Sequence, residues 1–482
     1  MNNKQTVFSN LAWRFAERFG AQLISMVVSI VLARLLMPED YGAIALVNVF
    51  IVILQVFVDS GMGSALIQKY DADDLDFSTV FYFNIVLCLV IYAILFLLAP
   101  WIADFYNNES LIPIIRVVGI TIIVSGVKNI QQAYVSRNML FRKFFFATIG
   151  GTLVSAVVGI WMAYMGWGVW ALVAQHLTNL IMDTAILWIT VKWRPKLKFS
   201  WKRFRILFSY GWRLLVSALI DKVYTNLRSL IIGKKYTSED LAFYQKGQQF
   251  PSLIVANTNS AIGSVLFPTL SKEQKDPQLL KSHVRRSIKI SSYIMWPMMA
   301  GLAACATPLV RLLLTDKWLF CVPYLQIACF TYGLMPIHTS NLQAIKALGR
   351  SDIFLKLEIL KKVIGLAVLL FAAQYGVMAM AVSAIFTNMI ATVINSWPNK
   401  KLIDYTYGEQ MKDMLPSFLL ASVMGIAVFQ WTRLNLSPII TLLIQIPTGA
   451  VIYVLGSLLF KFDSFQYLYS TIKTFLQKKH KK

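Results

Sequence analysis

Residues 78–103 read STVFYFNIVLCLVIYAILFLLAPWIA, a run that contains no Asp, Glu, Lys or Arg. The hydrocarbon core of a bilayer is about 30 Å thick, and a helix that rises about 1.5 Å per residue crosses it in about 20 residues. This stretch is long enough and apolar enough to do so. It therefore predicts a transmembrane helix.

The same comparison of length and polarity, applied outward along the chain, predicts about fourteen spans. Short polar breaks separate them, such as the turn Pro38–Gly42 and the tight hairpin at Gly166–Gly168. The longest stretches between spans, near 270–286 and 397–413, are too short to form a soluble domain. The predicted spans are 11–36, 42–66, 78–103, 112–136, 144–166, 168–191, 206–232, 241–268, 287–313, 322–345, 354–374, 376–396, 414–433 and 437–460.

The composition agrees with a membrane protein. The 482 residues include 57% hydrophobic and 14% charged side chains, whereas soluble proteins carry about 25% charged residues. That composition excludes an ordinary soluble enzyme, a disordered chain and a disulfide-stapled secreted domain. Neither a metal nor a cofactor is expected, because no zinc-type or redox-type spacing joins the four apolar-flanked cysteines: Cys88, Cys305, Cys321 and Cys329.

The basic residues predict the orientation of the chain. The formal net charge is +23, and cytoplasmic loops of membrane proteins are enriched in Lys and Arg. With the N-terminus in the cytoplasm, 32 basic residues fall on the cytoplasmic side, 10 lie within or at the ends of spans, and 4 fall on the opposite side. Both termini are therefore predicted to be cytoplasmic, and the tail from Lys461 is read as an amphipathic helix on the anionic inner leaflet.

An internal repeat relates the two halves of the chain. Glu39-Asp40 recurs as Glu239-Asp240, and the pair Gln132-Ala133 recurs as Gln343-Ala344, which implies about eleven extra residues in the 270–286 loop. Since each half has six spans, the two halves keep the same orientation in the membrane. The expected fold is all-α, with two parallel six-helix bundles and two additional C-terminal helices. The predicted domains are an N-terminal lobe (1–192), a basic linker (193–205), a C-terminal lobe (206–397), two further helices (398–460) and a basic tail (461–482).

Several charged residues fall inside the predicted spans, where each costs about 2.5–3.5 kcal/mol at a helix centre. Such costs are acceptable when the groups face water or one another. At about 100° per residue, Arg213, Asp221 and Arg228 share one polar stripe of the seventh span. The substrate-binding candidates are Lys128, Arg213, Arg228, Lys361, Lys362 and Arg18, and the possible counter-ion or coupling groups are Asp59, Asp183, Asp221 and Glu358.

Several of these polar and charged residues also have a structural explanation that involves no substrate. Glu358 with Lys362 could be a structural ion pair, and Asp59 and Asp183 could accept hydrogen bonds near helix ends. His338 is expected to be a satisfied interhelical hydrogen-bonding group. Three arginines near span ends could extend to the lipid headgroups: Arg34, Arg116 and Arg311.

A net-cationic cavity between two bundles would repel cations and suit a phosphate or pyrophosphate, to which Arg and Lys donate charge-assisted hydrogen bonds. At the level of motifs, the chain resembles Wzx-type polysaccharide flippases, in the colanic-acid exporter-like branch of the multidrug/oligosaccharidyl-lipid/polysaccharide exporter superfamily. The resemblance is carried by LARLLMPEDYGAIALVNVF (32–50), DSGMGSALIQ (59–68), RNMLFRKFF (137–145), WRPKLKFSWKRFRILFSYGWRLL (193–215), LFPTLSKEQKD (266–276), LLLTDKWLFCVPYLQI (312–327) and IKALGRSD (345–352).

This resemblance implies a V-shaped pair of bundles in a bacterial inner membrane. It further implies alternating access, in which undecaprenyl-pyrophosphate-linked oligosaccharide moves from the cytoplasmic to the periplasmic leaflet during lipopolysaccharide, capsule or exopolysaccharide synthesis. Expected partners are this substrate, membrane lipids, a coupling ion (H⁺ or Na⁺) and a polysaccharide polymerase, with a monomeric chain and no nucleic acid.

Two other functions remain as alternatives. A membrane glycosyltransferase or polysaccharide polymerase would need an acidic site on a sizeable extramembrane loop, and the acidic run at residues 71–76 is expected to be solvated instead. A multidrug antiporter of the same superfamily would be favoured by an acidic cavity. No catalytic residue is predicted.

Overall fold

A computed structural model describes residues 3–480 apart from residues 60 and 435. All regular secondary structure in these ranges is helical, which confirms the predicted fold class. Two short 3₁₀ turns occupy Asp316–Cys321 and Trp431–Leu434. The helices are α1 (Asn3–Leu35), α2 (Pro38–Asp59), α3 (Met62–Gln68), α4 (Asp74–Phe105), α5 (Leu111–Arg137), α6 (Phe141–Tyr164), α7 (Val169–Thr190), α8 (Trp201–Lys235), α9 (Ser238–Lys272), α10 (Pro277–Ala304), α11 (Ala306–Leu314), α12 (Val322–Gly333), α13 (Met335–Ala347), α14 (Ser351–Ala372), α15 (Val377–Leu402), α16 (Tyr407–Gln430), α17 (Pro438–Leu459) and α18 (Asp463–His480).

Within the described residues, eleven helical segments are long and apolar enough to cross a membrane. The bent pair α10 and α11, with an angle of 66° between them, brings the number to twelve. Helices α8 and α14 occupy the two remaining positions among the predicted spans. Both carry several charged residues, so they differ from the other spans in polarity and not in length.

The chain divides into two compact units, Met1–Ala242 and Phe243–Lys482. In the first unit α8 packs on α2, α3 and α4. The sequence prediction assigned residues 206–397 to the C-terminal lobe, whereas the contacts of α8 lie in the first unit. The predicted lobes are functional divisions of the chain, and their boundaries stay a prediction.

Helix packing in the first unit depends on small residues at the helix contacts. A Cβ added to Gly159 of α6 would lie 2.7 Å from Cβ of Gln175 on α7, and one added to Gly126 of α5 would lie 2.5 Å from Sγ of Cys88 on α4. Membrane helices attract one another mainly through close packing, because lipid is as apolar as their side chains. These two positions therefore bring α6 against α7 and α5 against α4.

The second unit has its core around α10. The ring of Trp296 on α10 lies 4.6 Å from that of Phe418 on α16, and Tyr293 lies 5.0 Å from Tyr453 on α17. The hydroxyl of Tyr453 donates to the carbonyl of Tyr293 at 2.8 Å. The two additional helices predicted from the sequence thus form part of the hydrophobic core of this unit.

The internal repeat is visible in the helix ends. The break between α1 and α2 recurs 200 residues later between α8 and α9, with the same spacing. In the first break a carboxylate oxygen of Asp40 accepts from the backbone N–H of Met37 at 3.1 Å. In the second, Asp240 accepts from the backbone N–H of Thr237 at 3.2 Å. In both halves the repeated acidic residue, third in its helix, therefore accepts from the backbone N–H of the residue before that helix, as in a capping box.

The extra residues of the second half lie elsewhere than predicted. The N-cap residues Asp73 of α4 and Asp276 of α10 are 203 positions apart. The left-handed turn residues Met139 (φ 53°) and Gly349 (φ 70°), which precede α6 and α14, are 210 apart. Only about three extra residues thus fall before α10, and the others lie between the start of α10 and the turn at Gly349.

Candidate functional site

Lys128 and Asp183 form an ion pair that joins α5 to α7 inside the first unit. Their side chains are only 15% and 8% exposed, respectively. A charge held in such an environment needs a partner of opposite sign, because desolvation otherwise outweighs its stabilising contacts. The candidate cation Lys128 therefore has a candidate counter-ion, Asp183, in direct contact.

A break between α2 and α3 places irregular backbone beside this pair. Gly61 has φ 66°, and a Cβ there would lie 2.4 Å from the carbonyl oxygen of Gly211 on α8. The side-chain amide of Asn129, next to Lys128 on α5, donates to the carbonyl of Val58 at 2.8 Å. Irregular backbone is tolerated at membrane depth only where the freed polar groups find partners. The second span, Pro38–Gln68, thus contains a left-handed turn residue, Gly61, next to α8.

Asp59 ends α2 at this break, and its carboxylate lies within electrostatic range of Lys222 on α8. The two candidate groups Arg213 and Asp221 are exposed on α8, and Arg228 is half-buried. The polar stripe predicted on this helix is therefore largely accessible. It approaches the helix break through Gly211 and Lys222.

The middle of α1 contains Arg18, the remaining candidate cation of the first unit. Arg18 is exposed. Its neighbour Glu17 is buried and accepts a hydrogen bond from Arg14 at 2.6 Å. The guanidinium of Arg14 also lies 5.1 Å from the ring centroid of Phe144 on α6. Glu17 and Arg14 thus help to hold α1 on α6, whereas Arg18 is available at the surface.

In the second unit, Lys361 donates to Glu358 one turn earlier on α14 at 2.6 Å. Lys362 is half-buried on the same helix. The ion pair considered from the sequence joined Glu358 to Lys362, whereas the structure shows Glu358 in contact with Lys361, whose charge it partly neutralises. The structure brings Lys128 together with Asp183 and Lys361 together with Glu358, and it divides the candidate set between the two units.

A buried polar network in the second unit extends beyond the candidates named from the sequence. The ring nitrogens of His338 on α13 lie 3.2 Å from Thr392 Oγ1 and 2.9 Å from Asn395 Nδ2, both on α15. The expectation that His338 is a satisfied interhelical group is confirmed. One turn further along α13, Asn341 donates to Gln410 of α16 at 2.7 Å. The i+3 and i+4 spacing of polar residues on α15 was the available signal for this network.

The acidic run at residues 71–76 was expected to be solvated, but part of it is buried. Asp76 is fully buried and accepts from Lys69 Nζ at 2.7 Å. Arg203 at the start of α8 contacts both Asp73 and Asp76, and the guanidinium of Arg203 lowers the pKa of Asp73 to about 2. Lys196 in the basic linker pairs with Asp74 at 2.8 Å. We call this group of side chains the α4–α8 clamp.

A second clamp lies at the start of α10, with the charges reversed. There the basic residues are on the earlier helix, and Arg285 contacts Asp413 of α16 at 2.7 Å. The hydroxyl of Tyr405 donates to the same carboxylate at 2.8 Å, and Lys281 pairs with Glu409 at 3.0 Å. In the first half, α8 follows the first six spans and is tied to the start of α4, the third span. In the second half, α16 follows the second six spans and is tied to the start of α10, which is the third span of that half.

Among the residues that the structure describes, no cluster of three or more metal-ligating side chains occurs.

Two repeated helical units with ionisable groups inside their helices define a polytopic membrane protein of transporter architecture. The chain belongs to the family described as polysaccharide biosynthesis protein, which matches residues 31–323. The resemblance seen in the sequence motifs is thereby confirmed.

Curated relatives cover most of the chain. The succinoglycan biosynthesis transport protein ExoT of Rhizobium meliloti is 22% identical over 82% of this chain and 80% of its own length. The teichuronic acid biosynthesis protein TuaB of Bacillus subtilis is 22% identical over 93% and 94%, respectively. The lipopolysaccharide biosynthesis protein WzxC of Escherichia coli is 23% identical over 82% and 80%.

Solved structures share the fold. The lipid II flippase MurJ in an inward closed conformation has a TM-score of 0.76 at 15% identity and covers 93% of this chain and 98% of its own. An inward-facing multidrug resistance transporter of the MATE family has a TM-score of 0.64 at 16% identity, with 80% and 94% covered. These likenesses show that the chain shares its fold with both transporters.

Proposed function

We propose that this chain is a flippase that moves a polyprenyl-diphosphate-linked oligosaccharide from the cytoplasmic to the periplasmic leaflet. The family match carries the proposal, since relatives over most of the chain are named as polysaccharide transport or biosynthesis proteins. The fold shared with a lipid II flippase supports it as well.

The proposed substrate site consists of the cationic side chains on the membrane helices. Lys128, Arg213, Arg228 and Lys361 neutralise the diphosphate, and Arg18 and Lys362 attract it at the margins. Guanidinium and ammonium groups give charge-assisted hydrogen bonds to phosphate oxygens, which are stronger at low dielectric than in water. When the substrate is absent, the ion pairs of Lys128 with Asp183 and of Lys361 with Glu358 limit the cost of the buried charges.

Alternating access through a cationic central cavity supplies the transport step. Asp59 and Asp221 serve as counter-ions or as the groups through which H⁺ or Na⁺ is coupled. The protein is a multi-pass membrane protein, and we place it in the bacterial inner membrane with both termini in the cytoplasm. It acts as a monomer and delivers its product to a polysaccharide polymerase.

Reconstitution into liposomes tests the proposal. A fluorescent polyprenyl-diphosphate oligosaccharide is placed in both leaflets, and a membrane-impermeant reductant destroys the fluorophores of the outer leaflet. Active protein is expected to expose the inner pool as well. The variant with Lys128→Gln, Arg213→Gln, Arg228→Gln and Lys361→Gln should lose this activity. Unchanged flipping by the fourfold variant would reject the cavity residues, and absence of flipping by the unmodified chain would reject the function.

The enzyme alternative loses support from the relatives, because ExoT, whose printed name states an activity, is described as a transport protein. The multidrug antiporter alternative keeps the support of the fold, since MATE transporters share it. The same liposomes distinguish the two transport functions. Efflux of an organic cation without flipping of the lipid-linked sugar would favour the antiporter.

A further inference from the structure

The second unit contains a cavity of about 690 Å³ where α16 meets the connection between α17 and α18. Its lining combines three lysines and two carboxylates, those of Asp413 and Asp463, with apolar residues of α16. It is separate from the candidate cations of the membrane helices. The groups that matter here are Lys289, Lys412, Lys461, Leu419 and Val423.

The basic side of the cavity is only partly neutralised. Lys289 lies 3.6 Å from Asp413 and 3.5 Å from Asp463, and Asp413 is also bound by Arg285. Lys412 and Lys461 are exposed, and within the described part of the chain neither has a carboxylate within 4 Å. The rim therefore presents two ammonium groups whose charge is not balanced locally.

The backbone fixes one of these lysines in place. Lys461 has φ 49°, in the left-handed region, at the turn between α17 and α18. The turn is closed by a hydrogen bond from the backbone N–H of Phe462 to the carbonyl of Ser457 at 3.0 Å. Phe462 itself packs against the hydrophobic core of this unit. Lys461 thus extends from an anchored turn.

The opposite wall is apolar and continues along a membrane helix. Leu419 is 52% and Val423 is 60% exposed, one turn apart on α16. Lys412 lies on the same helix, about two turns before Leu419. An amphiphile with a negative headgroup and an acyl chain would satisfy both sides of the cavity at once.

We infer that this cavity binds an anionic glycerophospholipid of the cytoplasmic leaflet. Its phosphate would contact Lys412 and Lys461, and an acyl chain would lie along Leu419 and Val423. A headgroup with a net negative charge fits the excess of ammonium groups better than a zwitterionic one. The inference rests on the orientation given under the proposed function, because that orientation places this end of α16 at the anionic inner leaflet.

Native mass spectrometry of the purified full-length chain tests the inference. The protein is titrated with dioleoylphosphatidylglycerol or with dioleoylphosphatidylcholine. We expect preferential binding of phosphatidylglycerol and about fivefold weaker binding for each lysine removed by Lys412→Gln and Lys461→Gln. The matched control removes two exposed lysines outside the cavity, at the end of α15: Lys400→Gln and Lys401→Gln.

Three outcomes would overturn the inference. The first is equal binding of the two lipids, and the second is an equal loss of affinity in the control variant. The third is that only a polyprenyl diphosphate, added as a separate ligand, depends on the two lysines, which would assign the cavity to the substrate path. The experiment measures lipid binding and not flipping. Failure of this inference can therefore be distinguished from failure of the proposed function.

Discussion

At the scale of single residues, the pair of Lys128 and Asp183 combines stability with a candidate transport role. Removing one member of a buried pair leaves an uncompensated charge, which typically costs about 3–5 kcal/mol, whereas removing both members together costs much less. The two effects can therefore be separated by mutation.

We expect Lys128→Gln to lower the thermal unfolding temperature in detergent strongly, and Lys128→Gln with Asp183→Asn to recover most of it. If Lys128 contacts the diphosphate, the double variant should still flip the lipid-linked sugar slowly in liposomes. A double variant with normal stability and normal flipping would show that the pair is only structural.

The pair of Asp73 and Arg203 in the α4–α8 clamp predicts a pH dependence. Folding lowers the pKa of Asp73 to about 2, below its ordinary value of about 3.9. The stabilisation is therefore fully present above about pH 4 and is lost as the pH falls towards 2. Because both groups are close to solvent, the effect is small and screened by salt.

The measurement compares the thermal unfolding of the unmodified chain with that of Arg203→Gln as a function of pH. The variant should be less stable at pH 7, and the difference should shrink between pH 4 and pH 2. A difference that stays constant over this range would mean that Arg203 acts through packing and not through the charge of Asp73.

At the scale of the elements, the break between α2 and α3 depends on Gly61. A side chain at φ 66° costs about 1–2 kcal/mol, and the added Cβ would also meet the carbonyl of Gly211 at 2.4 Å. Gly61→Ala is thus expected to destabilise the fold by at least that amount, as measured by thermal unfolding.

Gly408→Ala is the matched control. Gly408 lies in the first turn of α16, and nothing is within 4 Å of its added Cβ. Its effect should stay within about 0.5 kcal/mol. Equal stability of the two variants would contradict the close approach of α3 and α8.

The elements that sequence reasoning located best were those marked by a signal from neighbouring residues in the chain. The repeated Glu-Asp pair correctly marked equivalent helix starts because an acidic cap acts locally. The buried state of Asp76 was missed, since its partner Arg203 is distant in sequence. The break within the second predicted span was also missed, because the hydropathy of residues 42–66 stays high across Gly61.

At the scale of the whole molecule, the distribution of Lys and Arg predicts which ends of the helices face the cytoplasm. The four native cysteines are buried, so a single introduced cysteine can report on each side. We expect a membrane-impermeant maleimide to label Arg433→Cys in intact cells and Lys401→Cys only after permeabilisation. Both positions are exposed. The reverse pattern would invert the topology and would move the lipid cavity to the other leaflet.

The sequence by itself determined the class of the protein, the approximate number of spans, their repeat and the family. These properties follow from local composition and periodicity, which a bilayer converts directly into helices. Only the tertiary structure decided which charges meet, because the partners Lys128 and Asp183 or Arg285 and Asp413 lie on helices far apart in the chain. It also brought Lys412 and Lys461 together beside an apolar wall, since the packing of α16 against α10 and α17 is a property of the folded core.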